Sequence, residues 1–298
     1  MAGSLRDRLI CAGWVLVRMP LVRPVGLAGG LISAFSWYGL GRRKLARKAV
    51  VSQLNEDFLW VDIGAFGLAW PVGAPLDRLF MAMVELRSPT NPHYYFHRLT
   101  PVPRGGVVLD IGACEGSFAL ECLTNYGAGQ VFCFEPDSRM VGAIRTAAEK
   151  NGLEDCLHTV PAAVSDAPGR LLFLEDAANP LRSRIVESAD ALVEAETAQN
   201  VEVLTIDAWA HISGIERVDY IKIDAEGSDL AVLKGAEGTL RCFRPSIAVT
   251  TYHLPGHCEE ITDFILSLDA GYIVHAKGVV AENGIPRPVM LHAAAKGV

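Results

Sequence analysis

Four carboxylates stand where an apolar run gives way to a turn. Asp110 ends the run Val107-Val108-Leu109 and precedes Ile111-Gly112-Ala113-Cys114-Glu115-Gly116. Glu135 ends Val131-Phe132-Cys133-Phe134, 19 residues after Gly116. Asp224 and Glu226 follow Tyr220-Ile221-Lys222-Ile223 and precede Gly227. Asp110 and Glu135 have the register of an adenine-nucleoside site. Small residues let backbone approach the ligand, and the second acid, an acceptor only when ionised, takes the two ribose hydroxyls. The ligand that suits this register is S-adenosylmethionine rather than NAD. A dinucleotide site needs Gly-x-Gly-x-x-Gly to seat a pyrophosphate on a helix N-terminus. A carboxylate at position 110 repels a pyrophosphate and suits a ligand with an ammonium and a sulfonium, which disfavours an NAD-linked oxidoreductase.

The second pair of acids, with a histidine, could handle a proton. His253, in Thr250-Thr251-Tyr252-His253, closes the next apolar run. Imidazole titrates near neutrality, so His253 is the first candidate base for an acceptor hydroxyl, with Asp224 orienting acceptor or cofactor and Glu226 beside it. Asp224 and Glu226 could assist a metal, but Thr250-Thr251 brings no carboxylate from the next strand, and a metal-independent reaction is expected. The plainer alternatives are acids that cap helices and a hydrogen-bonded structural histidine. Upstream, His93-Tyr94-Tyr95-Phe96-His97 reads either as a pocket lid or as a packed aromatic plug.

These residues need elements to hold them. From Val107 onward the pattern alternates strand and helix, which predicts an α/β fold: a mostly parallel, doubly wound sheet covered on both faces. Predicted strands are 107–111, 130–134, 158–164, 171–174, 201–205, 220–223, 246–250, 272–275 and 290–292. Predicted helices are 116–126, 138–151, 228–243 and 259–268, with Gly127 and Gly152 at C-cap positions. Residues 175–200 lack a clean period and are expected to form a loop over the ligand. Before the core, Phe58–Val61 reads as a strand and Leu76–Leu86 as a helix. Pro89, Pro92, Pro101 and Pro103 then break the chain. The predicted organisation is a basic, apolar segment over 1–50, a small subdomain over 51–104 and the core over 105–298.

Composition limits the partners. The 298 residues are 50% hydrophobic and 20% charged, enough for a large core, with a net charge of -7. The charge is unevenly spread: residues 1–50 hold nine Lys or Arg and one acid, so the remainder is strongly acidic. An acidic body is a poor nucleic-acid surface, because affinity there comes largely from neutralising phosphates. Seven scattered cysteines without a Cys-x-x-Cys pair fit a reduced, cytoplasmic protein without a structural zinc. At the N-terminus, Arg18, Arg23 and the Arg42–Lys48 cluster lie among Trp14, Phe35, Trp37 and Tyr38. That mixture suits a segment lying on a membrane surface, with a helix packed on the body or on a partner as the alternative. Its uncharged run, Pro24–Gly41, is short and glycine-rich for a span.

Taken in order, Val108–Gly116, Phe134–Asp137, Ala163-Val164-Ser165-Asp166, Leu204-Thr205-Ile206-Asp207, Ile221–Ala236 and Pro245–His253 resemble the FkbM-type methyltransferases over roughly residues 94–278. The most specific part is Lys222-Ile223-Asp224-x-Glu226-Gly227 with Leu233-Lys234-Gly235-Ala236. The resemblance implies a Rossmann-like class I methyltransferase that uses S-adenosyl-L-methionine to methylate a hydroxyl on a small molecule, sugar or lipid-linked acceptor. The alternative is a binding or scaffold protein that keeps the fold without turnover. The expected cofactor-binding set is Asp110, Gly112, Ala113, Gly116, Glu135, Pro136, Asp166 and Asp224; the expected catalytic set is His253, Asp224 and Glu226. One departure stands out: the family turn commonly reads Gly-Ala-Asn-x-Gly, and Cys114 replaces the Asn.

Overall fold

The computed structural model describes residues 9, 38–176, 184–186, 196–282 and 285–296. The expectations for residues 1–37 therefore lie almost wholly outside the described residues. The described chain opens with helix α1 (Tyr38–Ala46), then three short strands, β1 (Val50–Gln53), β2 (Phe58–Asp62) and β3 (Gly67–Pro71), then helix α2 (Leu76–Arg87). The three strands form an antiparallel meander. Val61, Phe66, Leu68, Trp70, Leu79, Phe80 and Met83 join Val108, Phe118, Val131 and Ile144 in one apolar cluster, so residues 50–104 share a core with the sheet that follows. Asn151 ties the two parts by donating to the Gly67 carbonyl (2.8 Å) and accepting from its N–H (3.0 Å).

The central sheet begins with β4 (Val107–Ile111). Helix α3 (Ser117–Glu121) and a π-helical turn (Cys122–Tyr126) return the chain to β5 (Gln130–Phe134), and α4 (Ser138–Asn151) leads to β6 (Leu157–Val160). α4 starts where expected because Asp137 accepts from the N–H groups of Arg139 and Met140, satisfying donors that a helix N-terminus leaves orphaned. Gly152 ends it in the left-handed conformation.

The predicted strand 158–164 is two strands. Pro161 offers no N–H to a ladder. There the chain leaves the central sheet, and β7 (Ala163–Val164) opens a second one. β8 (Gly169–Asp176), β9 (Arg184–Val186) and β10 (Glu196–Leu204) complete it in the order β7-β10-β8-β9. β8 and β10 pair from Gly169↔Val203 to Asp176↔Glu196, so residues 175, 176 and 196–200 are ladder, not the expected loop. Residues 177–183 and 187–195 lie outside the described residues.

Helix α5 (Ile206–Ile212), which periodicity misses, is capped by Thr205 Oγ1 accepting from Ala208 (3.2 Å). β11 (Tyr220–Ile223) follows. The predicted helix 228–243 breaks into α6 (Asp229–Lys234) and α7 (Glu237–Phe243). Between them Gly235 packs so closely that a Cβ would lie 2.1 Å from the Ser165 carbonyl oxygen. β12 (Ser246–Thr250), α8 (His257–Ser267) and the long hairpin β13 (Tyr272–Glu282) and β14 (Ile285–Ala295) complete the fold.

The central order is β13-β14-β12-β11-β4-β5-β6, with β12, β11, β4, β5 and β6 parallel and β14 antiparallel to β12. This is the doubly wound, Rossmann-like α/β sheet. The chain steps outward from β4 to β5 and β6, then returns to the other side of β4 with β11 and β12. The order thus reverses between β4 and β11, and the crevice outside those two strand ends is where such sheets bind ligands.

Candidate functional site

At that reversal lies a cavity of about 280 Å³. One end is formed by the turn after β4 (Gly112 to Glu115), by Phe134, Glu135 and Pro136 after β5, and by Ala162–Val164 and Phe173. The other end is formed by Asp224 to Glu226 after β11, by Tyr252, and by Glu85, Leu86 and Tyr95 from the N-terminal part.

The first end is assembled from backbone. Gly112 has φ +71°, and a Cβ on it would stand 1.9 Å from the Asp224 carbonyl oxygen, so only glycine lets the turns after β4 and β11 close. Glu135 is held by two N–H donors: Cys114 gives to Oε2 (2.8 Å) and Asp137 to Oε1 (2.9 Å). Each oxygen keeps acceptor capacity toward the cavity. Burial draws the carboxyl up to about 7 in spite of those two bonds.

Asp110 is not at the cavity wall. It is fully buried behind the turn, 3.0 Å from Lys222 Nζ. Lys222 also donates to the carbonyls of Ile111 (3.3 Å) and Gly112. The ammonium thus clamps the turn from below and compensates the buried acid; burial still raises the Asp110 pKa. Lys222 lines the cavity, Asp110 stands behind it, and Gly116 is not among the lining residues either. Asp166 lies on the surface, its carboxylate near the Ser165 hydroxyl (3.3 Å), away from the lining. Of the expected cofactor set, Gly112, Ala113, Glu135, Pro136 and Asp224 share the cavity.

The second end is assembled from side chains. Tyr95 donates to Asp224 Oδ2 (2.5 Å), and its own carbonyl accepts from buried Tyr220 (2.8 Å). Asp229, which sequence reasoning passed over, organises the rest. It is fully buried and accepts from the N–H groups of Ala225 (2.9 Å) and Gly227 (3.2 Å), from the Thr250 hydroxyl (2.9 Å) and from His253 Nδ1 (3.1 Å). The Asp229 contact turns His253 Nε2 toward Asp224 Oδ1 (3.5 Å) and Glu226 Oε2 (3.6 Å). Nε2 is buried and makes no hydrogen bond. All three residues of the expected catalytic set therefore meet.

Electrostatics follow from that crowding. Burial works against a charged imidazole, but the bond to Asp229 and the charges of Asp224, Asp229 and Glu226 outweigh it and hold His253 at about 9. Glu226, whose side chain is 47% exposed, is raised by partial loss of hydration and by the charge on Asp224. Asp229 falls below the usual carboxylate range because His253 and its other donors overcome burial.

Besides Asp229, sequence reasoning gave no role to Lys222, and it left Tyr95 within an aromatic cluster of open meaning. The signals were present. Lys222 is a lone cation in an apolar strand, and Asp229 opens the helix after a Gly turn. Neither says which neighbour it will meet.

Comparison with known proteins supports the resemblance. Residues 110–274 match the model of the methyltransferase FkbM domain. The 2-O-methyltransferase NoeI of Sinorhizobium fredii (strain NBRC 101917 / NGR234) is 31% identical over 145 residues, 45% of this chain and 58% of NoeI, so little more than half of that relative is spanned. Among solved structures, methyltransferase FkbM from Methylobacillus flagellatus KT aligns with TM-score 0.46 and 15% identity, over 96% of this chain and 62% of that one. An O-methyltransferase from Bacillus cereus in complex with SAH aligns with TM-score 0.38 and 15% identity, over 64% of this chain and 74% of that one. The domain match takes in more than half of the sequence, and the chain belongs to the FkbM methyltransferase family.

Proposed function

We propose that this protein transfers the methyl group of S-adenosylmethionine to a hydroxyl oxygen of a small-molecule, sugar or lipid-linked acceptor. One observation carries the reading: a single cavity joins the Glu135 and Gly112 turns to Asp224 and Glu226, the two carboxylates that stand 3.5 and 3.6 Å from His253 Nε2. The pocket residues fit the cofactor. The Gly112 turn is a cradle that a Cβ would fill, and Glu135 is a pre-oriented, desolvated acceptor for a ribose diol. When bound, S-adenosylmethionine supplies a methyl on a sulfonium; the C–S bond breaks as C–O forms, and sulfur keeps the electron pair as a neutral thioether.

The protein's main task is to hold the acceptor oxygen in line at about 3–3.5 Å. Tyr95 and Tyr252 give the acceptor end aromatic walls, and Glu85, Asp224 and Glu226 give it hydrogen-bond acceptors, a lining suited to a ligand rich in hydroxyls. Glu226, which lines the cavity, is placed to take the proton the hydroxyl loses, with His253 beside it. This moves the base from His253, where the sequence put it, to Glu226.

Calorimetry with S-adenosylhomocysteine tests the cofactor. Incubation with isotopically labelled donor and extract, followed by mass spectrometry of the product, tests the acceptor. No binding, or preferred binding of NAD, sinks the reading, and labelled nitrogen or carbon in place of oxygen overturns the hydroxyl.

In this reading the catalytic part works in the cytoplasm, and the basic segment 1–48 tethers it to an anionic membrane surface. Arg43, Lys44, Arg47 and Lys48 are all exposed on and just after α1. Among the described residues no helix is long and apolar enough to cross a membrane. Anionic liposomes should retain the full chain at low salt and release a Δ1–48 variant; retention of neither ends the tether.

A further inference from the structure

We infer that His253, Asp224 and Glu226 form a binding site for a divalent transition-metal cation, against the metal-independent chemistry that the sequence suggests. The inference rests on the hydroxyl-methylation reading only for what the cation would do, not for whether it binds.

Three observations converge. His253 Nε2 belongs to a side chain only 8% exposed, yet the nitrogen has no hydrogen-bond partner. A buried ring nitrogen without a partner is a costly arrangement that a ligand would relieve. Its neighbours, Asp224 Oδ1 at 3.5 Å and Glu226 Oε2 at 3.6 Å, are too far for a good N–H···O bond. That separation is slightly wider than that of two ligands sharing a metal, since bonds of about 2.1 Å place adjacent ligand atoms about 3.0–3.4 Å apart, and a small side-chain shift would close the difference. Finally, the other ring nitrogen faces Asp229, a carboxylate filled by two backbone N–H groups, Thr250 and His253 itself. A carboxylate behind a ligating histidine fixes its tautomer and aims the free nitrogen at the ion. Asp229 has the makings of that supporting group rather than of a ligand, although one of its oxygens lies within 4.8 Å of ligand atoms of His253 and Asp224.

The surroundings favour a cation. Among the described residues lining the cavity, Lys222 is the one Lys or Arg, and its ammonium is already spent on Asp110 and two carbonyls. One imidazole with two carboxylates and open positions suits Mn²⁺ or Zn²⁺ better than Ca²⁺ or Mg²⁺. Binding would replace the Nε2 proton, as at any histidine site. Asp224 and Glu226 line the cavity, so a cation held by them would meet the acceptor's oxygen there and acidify its hydroxyl, leaving the second oxygen of Glu226 for the released proton.

The test is direct titration of EDTA-stripped, full-length protein with Mn²⁺, without cofactor, followed by calorimetry and pulsed EPR. We expect one equivalent bound, with a nitrogen coupling from imidazole. Asp224→Asn and His253→Gln should each weaken binding at least tenfold, and His253→Gln should erase the nitrogen signal. The surface variant Glu237→Gln should bind as wild type. S-adenosylhomocysteine binding by each variant shows that it has folded. No Mn²⁺ or Zn²⁺ bound at millimolar metal, or equal binding by wild type and both site variants, overturns the site. Loss of S-adenosylhomocysteine binding in the wild type with Mn²⁺ binding intact would strike the methyl-transfer reading and leave the metal site standing.

Discussion

At the Glu135 end of the cavity the lining carboxylate is already aimed by backbone N–H groups, whereas at the Asp224 end the lining atoms are side-chain carboxylates, next to a buried imidazole nitrogen without a hydrogen-bond partner. The first end can bind a rigid ligand without rearranging, because strand ends and turns fix its shape. The second is crowded with like charge and holds its geometry through Asp229 and Tyr95. Binding surfaces that must recognise one constant ligand can be made of backbone. A surface that moves a proton and meets a variable partner has to be made of side chains. The two ends should therefore respond differently to substitution.

The sharpest way to break the comparison is Gly112→Ala. The new methyl would stand 1.9 Å from the Asp224 carbonyl oxygen, on a residue with φ +71°. Overpacking and left-handed strain together should destabilise by roughly 2–4 kcal/mol. The turns after β4 and β11 would be forced apart, so S-adenosylhomocysteine binding should vanish as well. Thermal denaturation and calorimetry check both. A variant that keeps wild-type affinity would show that the close approach of the two turns is not what shapes the cofactor end.

At the acceptor end, Asp224→Asn should do the reverse. Its oxygen can still accept from Tyr95, so the fold survives and S-adenosylhomocysteine affinity should change less than about threefold. Methyl transfer should fall by about 10²–10⁴-fold, the usual worth of an acid–base or orienting group. Loss of cofactor affinity equal to the loss of turnover would mean that the two ends are not separable.

That separation also marks what the sequence reveals. The parallel core was legible because β4, β5 and β11 are apolar runs bounded by acids and glycines, and β12 is a further apolar run, a local signal. The positions of Gly112, Glu135, Asp224 and Glu226 at strand ends followed from the same signal. The break at Pro161, the split at Gly235 and the β8–β10 ladder were not legible in full, since each depends on a contact with a segment distant in sequence. Asp110 shows the limit most clearly. Its place in the motif is a local fact, but Lys222, 112 residues away, decides that it is a buried countercharge rather than a wall of the cavity. Asp229 was missed for the same reason: its value lies in His253, which comes from another loop.

Glu135→Gln should separate stability from binding. The carboxyl has an ordinary value of 4.5 and is drawn up to about 7 in the folded protein, so folding takes up a proton between those values. Stability is therefore highest below about pH 4.5, as far as this group is concerned, and is lost as pH rises through 7. Above that, the buried charge should cost on the order of 1–3 kcal/mol. Glu135→Gln removes the charge, so at pH 8 the cofactor-free variant should melt above wild type, with a flatter dependence between pH 5 and 8 (about three units). Its S-adenosylhomocysteine affinity should fall by about 1.5–3 kcal/mol, because hydrogen bonds to a charged acceptor are lost. A variant less stable than wild type at pH 8 would mean that the bonds from Cys114 and Asp137 outweigh the burial of the charge.

The smallest effect concerns the turn itself. Cys114 has φ +48°, in the left-handed region, where residues other than Gly, Asn and Asp are strained by contact of Cβ with the following carbonyl. Family turns commonly carry Asn there. Asn tolerates this conformation through its short polar side chain, so the conformation alone would account for Asn in the turns the sequence resembles, without contact of the amide with a ligand. Cys114→Asn keeps the N–H that Glu135 accepts, so cofactor affinity should stay within about twofold while stability rises by about 0.5–1 kcal/mol. Cys114→Val, with a branched Cβ in the same conformation, should lose at least about 1 kcal/mol. Denaturant melts of the three proteins rank them. If Asn gains nothing over Cys, the turn is unstrained at this position. If Asn instead tightens S-adenosylhomocysteine severalfold, the amide reaches the ligand and the backbone end of the cavity contains a side-chain contact after all.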